Sequence, residues 1–300
     1  LADSAVSRIC ALRKGGFSYK EVSHFVDCSV GAAYQYAKNV ELSEQGKRRF
    51  LSLKKERDGD FARRFASPKQ VKVVSQGLSR SKARILGHSL FDGFADKYYI
   101  MYANASSRLA AQFTRDLIKN YSGARPVTRV YPLKEAQLYH VYFGSMIASA
   151  DIRAMILHAD ERSRQHLCGD ALRGDEFILG EIVRAFWEDE GSVSEDGNII
   201  GEIKNRELRD QLLVLHRNLG IEVSPYYDST YDMWGIYVRR RLENFEIFDR
   251  RVGFRNSIVT KGRTPGVEKR FVFRQIFRKR GSLPVGRSGG FNVAVKSASP

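Results

Sequence analysis

The sequence predicts an α+β fold in which two pseudo-symmetric αββαββα repeats follow a small all-α domain. Three observations predict it. One helix–strand–helix pattern recurs at an offset of 98 residues. The first forty residues carry the caps and stops of three short helices. The hydrophobic content of 43% is enough for packed cores, which excludes a wholly disordered chain.

Charge bounds the partners. Fifty Lys and Arg against 34 Asp and Glu give a net charge of +16, which points to nucleic acid or an anionic membrane surface. The charge is unevenly placed. Residues 1–80 carry 16 basic and 8 acidic residues, residues 241–300 carry 14 and 4, and the middle carries 20 and 22. A polyanion would therefore be gripped by both ends. No apolar run approaches the ~18 residues needed to span a bilayer, and no secretory leader is expected. Cys10, Cys28 and Cys168 are odd in number and scattered, and the six histidines form no HExxH. Neither a disulfide framework nor a zinc site is suggested. A reducing intracellular setting is expected, cytoplasmic or nucleoid-associated, with the chain a monomer.

The elements follow in order. Residues 4–14 read as a short helix stopped by Gly15 and Gly16. Ser18 and Glu21 form an S-x-x-E capping box that opens a helix to Val26. Asp27 to Ser29 is a turn, and Ser29 caps a third helix. There Val30, Ala33, Ala37 and Val40 share one face, and Gly31, Tyr34, Gln35 and Lys38 the other. Two short helices with a tight turn, the second exposing amide, aromatic and basic groups, resemble a helix-turn-helix domain over residues 1–45. Gln35 and Lys38 are its candidate DNA contacts. Residues 46–80 read as a basic linker, helical and then looped.

Ser81 is placed as the cap of a helix running to Gly93. Beside it stands a second helix ending at Gly191. Gly87 matches Ala185, Asp92 matches Glu190, and Gly93 matches Gly191, each at an offset of 98. Each helix is followed by a strand that ends at an asparagine, Asn104 or Asn205, which opens an amphipathic helix. Two more strands and a closing helix complete each copy. The first repeat is set at 81–168, the second at 169–285, and a flexible tail at 286–300.

This pattern resembles the LAGLIDADG homing endonucleases in their single-chain, two-motif form. The motif is written as ILGHSLFDG (85–93) and VRAFWEDEG (183–191). The resemblance implies a saddle of two antiparallel sheets on double-stranded DNA, cleaved on both strands with Mg²⁺, for which Mn²⁺ can substitute. It implies Asp92 and Glu190 as the metal-binding catalytic acids. It also implies a basic residue near each acid, Lys261 in the second copy, with only Arg162 or Arg164 to offer in the first.

The residues themselves support part of this. Gly87 and Ala185 let two helices approach closely, which brings Asp92 and Glu190 together. Two such carboxylates repel, raise each other's pKa, and are tolerable with divalent cations between them. The acidic run Glu188, Asp189 and Glu190 opposes the helix macrodipole, so a cation is expected there, and metal is the candidate. His88 is expected as an interface residue rather than a ligand. Candidate base and phosphate contacts on the strands are Lys97, Tyr99, Arg129, Lys134, Lys204, Arg239 and Arg241, and the strand register is left open. Two other functions stay open: a DNA-binding regulator that has lost cleavage, and an RNA maturase on the same fold.

Overall fold

A computed structural model describes residues 2–65, 71–132, 136–161, 164–260 and 264–281. The chain divides into two units, Leu1–Arg64 and Phe65–Pro300.

The first unit is helical: α1 (Asp3–Lys14), α2 (Tyr19–Val26), α3 (Val30–Ala37) and α4 (Glu44–Phe65). The Ser18 hydroxyl accepts from the Glu21 amide and the Glu21 carboxylate accepts from the Ser18 amide, so α2 starts on the expected capping box. Ser29 caps α3 by accepting from the Ala32 amide. Ile9, Val22, Ala33 and Ala37 form a small core. Val30, the first residue of α3, departs from the expected apolar face and stands exposed. Helix α4 runs through much of the stretch read as a linker, and its part up to Arg64 belongs to this unit.

In the second unit the first copy orders as α5 (Arg80–Leu90), β2 (Gly93–Ala95), β3 (Tyr99–Asn104), α6 (Ser107–Asn120), β5 (Val127–Pro132), β6 (Gln137–Gly144) and α7 (Met146–Arg153). The second orders as α8 (Glu176–Asp189), β9 (Gly191–Val193), β10 (Ile199–Ile203), α9 (Arg206–Asn218), β11 (Val223–Asp228), β12 (Met233–Val238) and α10 (Leu242–Arg251). Their sheets run β2-β3-β6-β5 and β9-β10-β12-β11. All pairings are antiparallel, and the two orders are the same. Two minor pairs, β1 (Lys72–Val73) with β4 (Tyr121–Ser122) and β7 (Ile156–Leu157) with β8 (His166–Leu167), tie the edges.

Two caps differ from expectation. Ser79, not Ser81, caps α5 by accepting from the Lys82 amide. Ser81 lies inside the helix and accepts instead from the Asn120 side chain. Asn205 caps α9 as expected, but α6 is capped by Ser106. Asn104 is left for another use.

Helices α5 and α8 pack along each other in parallel at the centre of the unit. A Cβ added at Gly87 would lie 2.6 Å from the Cβ of Ala185, so glycine is what permits this approach. Lower on the same seam, the buried Glu181 carboxylate meets Arg80 at 3.2 Å and Arg84 at 3.4 Å, and also pairs with Arg184. Burial alone would raise the Glu181 pKa, but Arg184, Arg255 and Arg84 outweigh it and hold it low. A last helix, α11 (Lys269–Gly281), buries Val272, Phe273 and Ile276 against Phe245, Phe248 and Phe254. Each such side chain contributes roughly 1.5–3 kcal/mol by leaving water.

Candidate active site

Strand alternation sets which side chains lie away from the helices. On the first sheet Ile100, Tyr102, Val141 and Phe143 face the core. The outer face therefore carries Tyr99 and Met101, then Tyr142, His140 and Arg129, with Arg129 opposite His140. On the second sheet Val193, Ile199, Ile203 and Ile236 face the core. Glu202, Tyr226 and Tyr237 then fall on the outer face.

The two motif helices end beside each other, and their acids meet there. Asp92 follows α5, and burial followed by the charge of Asp189 pushes its pKa up to about 7. Glu190 ends α8, and burial followed by the charges of Asp92 and Asp189 pushes it up to about 8. Asn104 donates to the Asp92 carboxylate at 2.8 Å. Among the described residues no hydrogen bond reaches the Glu190 carboxylate.

The middle acids are used in the fold. Glu188 accepts from the backbone amides of Arg255 and Asn256, both at 2.9 Å, and so anchors the loop after α10. The Asp189 side chain is fully buried and accepts from His88 at 2.8 Å and Tyr102 at 2.7 Å. Burial would lower the His88 pKa, but Asp189 and Glu188 raise it above its ordinary value. His88 is thus the interface residue expected, with its role now specific.

The structure revises the expectation that metal alone answers the acidic helix end. Lys269 donates to the Glu188 carbonyl at 2.8 Å and the Trp187 carbonyl at 3.2 Å. It caps the last turn of α8 with a positive charge, as the macrodipole favours. Burial lowers its pKa to about 8, against the opposing pull of Asp189, Glu188, Asp92 and Glu190. Little in the sequence signals this, because Lys269 opens a run of several cations and nothing in their spacing sets it apart.

The copies are not chemically equal at this end. The offset of 98 takes His88 to Phe186 and Phe91 to Asp189. One contact is the hydrogen-bonded His88–Asp189 pair, and its counterpart is Phe91 on Phe186, ring centroids 5.4 Å apart. Asn104 has Ile203 as its counterpart in strand register, which explains why the strand beside Asp92 supplies a donor and the strand beside Glu190 does not.

Two acidic side chains with hard oxygens, lifted in pKa by their burial and proximity, fit a divalent cation completed by water and phosphate oxygens. Among the described residues there is no group of three or more His, Cys, Asp or Glu side chains arranged to hold an ion. The fit is therefore to a site completed by substrate.

The other candidates are dispersed. Lys97 is exposed in the β2–β3 turn, Arg129 is exposed in β5, and Lys204 is exposed just past β10. Arg239 and Arg241 lie beyond the end of β12, so they are not strand residues as expected. Arg239 donates to Ser224 at 2.9 Å and Arg241 pairs with Glu222 at 3.3 Å. Gln35 and Lys38 are exposed in the first unit. Lys134, Lys261, Arg162 and the tail at 286–300 lie outside the described residues. Arg164 is exposed and pairs with Glu161.

No protein-family model matches the sequence, and no curated protein is significantly similar to it. Among solved structures, the homing endonuclease I-DmoI in complex with DNA and Mn has a TM-score of 0.45 at 14% identity, over 59% of this chain and 98% of that one. Full-length WhiA from Thermatoga maritima has a TM-score of 0.46 at 12% identity, over 72% of this chain and 65% of that one. The N-terminal LAGLIDADG domain of WhiA has a TM-score of 0.42 at 11% identity, over 61% and 88%. Function is therefore read from the chain's own geometry.

Proposed function

We propose that the second unit is a metal-dependent, sequence-specific endonuclease that hydrolyses double-stranded DNA, with the first unit as a helix-turn-helix accessory reader. One observation carries the reading: the close-packed ends of α5 and α8 hold Asp92 and Glu190 together with both pKa values raised. A fold has no structural need for such a pair, whose mutual repulsion destabilises it.

In this reading Asp92 and Glu190 hold Mg²⁺, with Mn²⁺ able to substitute. Bound between them, a divalent ion would supply Lewis-acid chemistry, activating a water and offsetting charge on the leaving oxygen. Asn104 orients the Asp92 carboxylate through its 2.8 Å hydrogen bond. Lys269 places an ammonium at the acidic end, where it offsets the charge of the acids. The outer faces of the two sheets lie along the major groove. Lys97, Arg129, Lys134, Lys204, Arg239 and Arg241 meet phosphates or bases there, and Gln35 and Lys38 contact DNA from the first unit. Lys261 keeps its place as a candidate basic residue for the second strand. The protein works inside the cell as a monomer.

The test is incubation with a randomised duplex library and Mg²⁺, followed by capture of cut ends. Double-strand cuts from the wild type and none from Asp92→Asn support the reading. A second reading, a DNA-binding regulator without cleavage, is favoured by the Lys269 ammonium at the end of α8 and by the His88 hydrogen bond to Asp189, which already answer part of the acidic cluster. Duplexes bound tightly and never cut would establish it.

A further inference from the structure

On the outer face of the second sheet, Glu202, Gly235 and Tyr226 form one cross-strand row. A Cβ added at Gly235 would lie 2.1 Å from the Tyr226 ring. The glycine thus lets that ring lie flat across β12. The Tyr226 hydroxyl then reaches over the strand and donates to the Glu202 carboxylate at 2.8 Å. The two strands that flank β12, and the missing side chain between them, hold a carboxylate in place on a face turned from the core.

The equivalent row of the first sheet is Ala103, His140 and Arg129. One face thus offers hydrogen-bond donors where the other offers an acceptor. A carboxylate facing DNA is repelled by phosphates and finds a favourable partner only at a base edge bearing an amino group. In the major groove, the amino group matched by a carboxylate is N4 of cytosine.

We propose that Glu202, pinned by Tyr226 across Gly235, selects a cytosine in the part of the target lying under the second sheet. The proposal rests on the reading of this unit as a DNA-binding protein. It gives the two halves of the target opposite demands: an acceptor-bearing base at the Arg129 row and an amino-bearing base at the Glu202 row.

The experiment is selection of duplexes from a randomised library by the full chain in chelating buffer, so that binding is read without cutting. The wild type should enrich a site with cytosine at one position of one half. Glu202→Gln should reduce that preference about tenfold and leave the other positions unchanged. Tyr226→Phe keeps the carboxylate but removes its hydroxyl partner, and should weaken the same preference at the same position. If the wild type enriches a site and both variants keep all its base preferences, the proposal is overturned while the DNA reading stands. An adenine at the Glu202-dependent position also overturns the assignment. If the wild type enriches nothing, both readings fall.

Discussion

Gly87 and Ala185 face each other so closely that a Cβ on the glycine would lie 2.6 Å from that of the alanine. The Ile182 carbonyl, at 3.3 Å, closes the other side. This contact fixes how near α5 and α8 run, and so how near their acids end. Gly87→Val should destabilise the second unit by about 1–3 kcal/mol through overpacking. Urea unfolding followed by tryptophan fluorescence reads it, since Trp187 lies fully buried on α8. A neutral result would mean that the helices can separate without cost.

Removing an acid should stabilise the metal-free protein. The folded pKa of Glu190, about 8, lies above its ordinary 4.5. The sign follows: its contribution is fully present below 4.5 and is lost as pH rises through about 8. Glu190→Gln in chelator should therefore melt above the wild type at about pH 9, and the gain should shrink towards acid. Asp92→Asn should behave alike. Equal melting temperatures at alkaline pH would show that the two carboxylates do not strain the fold.

Lys269 is buried and caps two carbonyls at the end of α8. Lys269→Met keeps its length and removes the charge. It leaves those carbonyls unpaired and the acids without their tethered cation. A loss of about 1–3 kcal/mol is expected. Added Mg²⁺ should recover part of it, because a divalent ion answers the same charge. No loss in denaturant titration would remove Lys269 from the account.

His216 gives a test on the acid side. It accepts from the Trp187 indole at 2.8 Å and donates to the Leu212 carbonyl at 2.6 Å, which requires a neutral ring. Burial lowers its pKa to about 4. Stability from the neutral ring is present above the ordinary 6.5 and is lost as pH falls towards 4. The cost of His216→Leu, measured against the wild type, should therefore shrink between pH 6.5 and 4. A cost independent of pH would contradict the assignment.

Much of the fold was legible because it is written twice. The matched Gly87 and Ala185, Asp92 and Glu190, and Gly93 and Gly191 located both central helices and the acids at their ends. Each repeat has the strand and helix order expected. What sequence could not give was side-chain destination. Asn104 reads like Asn205, yet one serves an acid and the other caps a helix. Lys269 is one cation in a basic run, and only packing of α11 shows that its ammonium is buried. Glu202 and Tyr226 are 24 residues apart, and the glycine that joins them lies on a third strand.

The most direct measurement is cleavage of a library-selected duplex by the wild type, Asp92→Asn and Glu190→Gln, with Mg²⁺ and with chelator. The account predicts cuts in both strands by the wild type with metal only, and loss of at least one strand's cut in each variant with binding retained. Tight binding by all three proteins, with no strand cut under any condition, would contradict it.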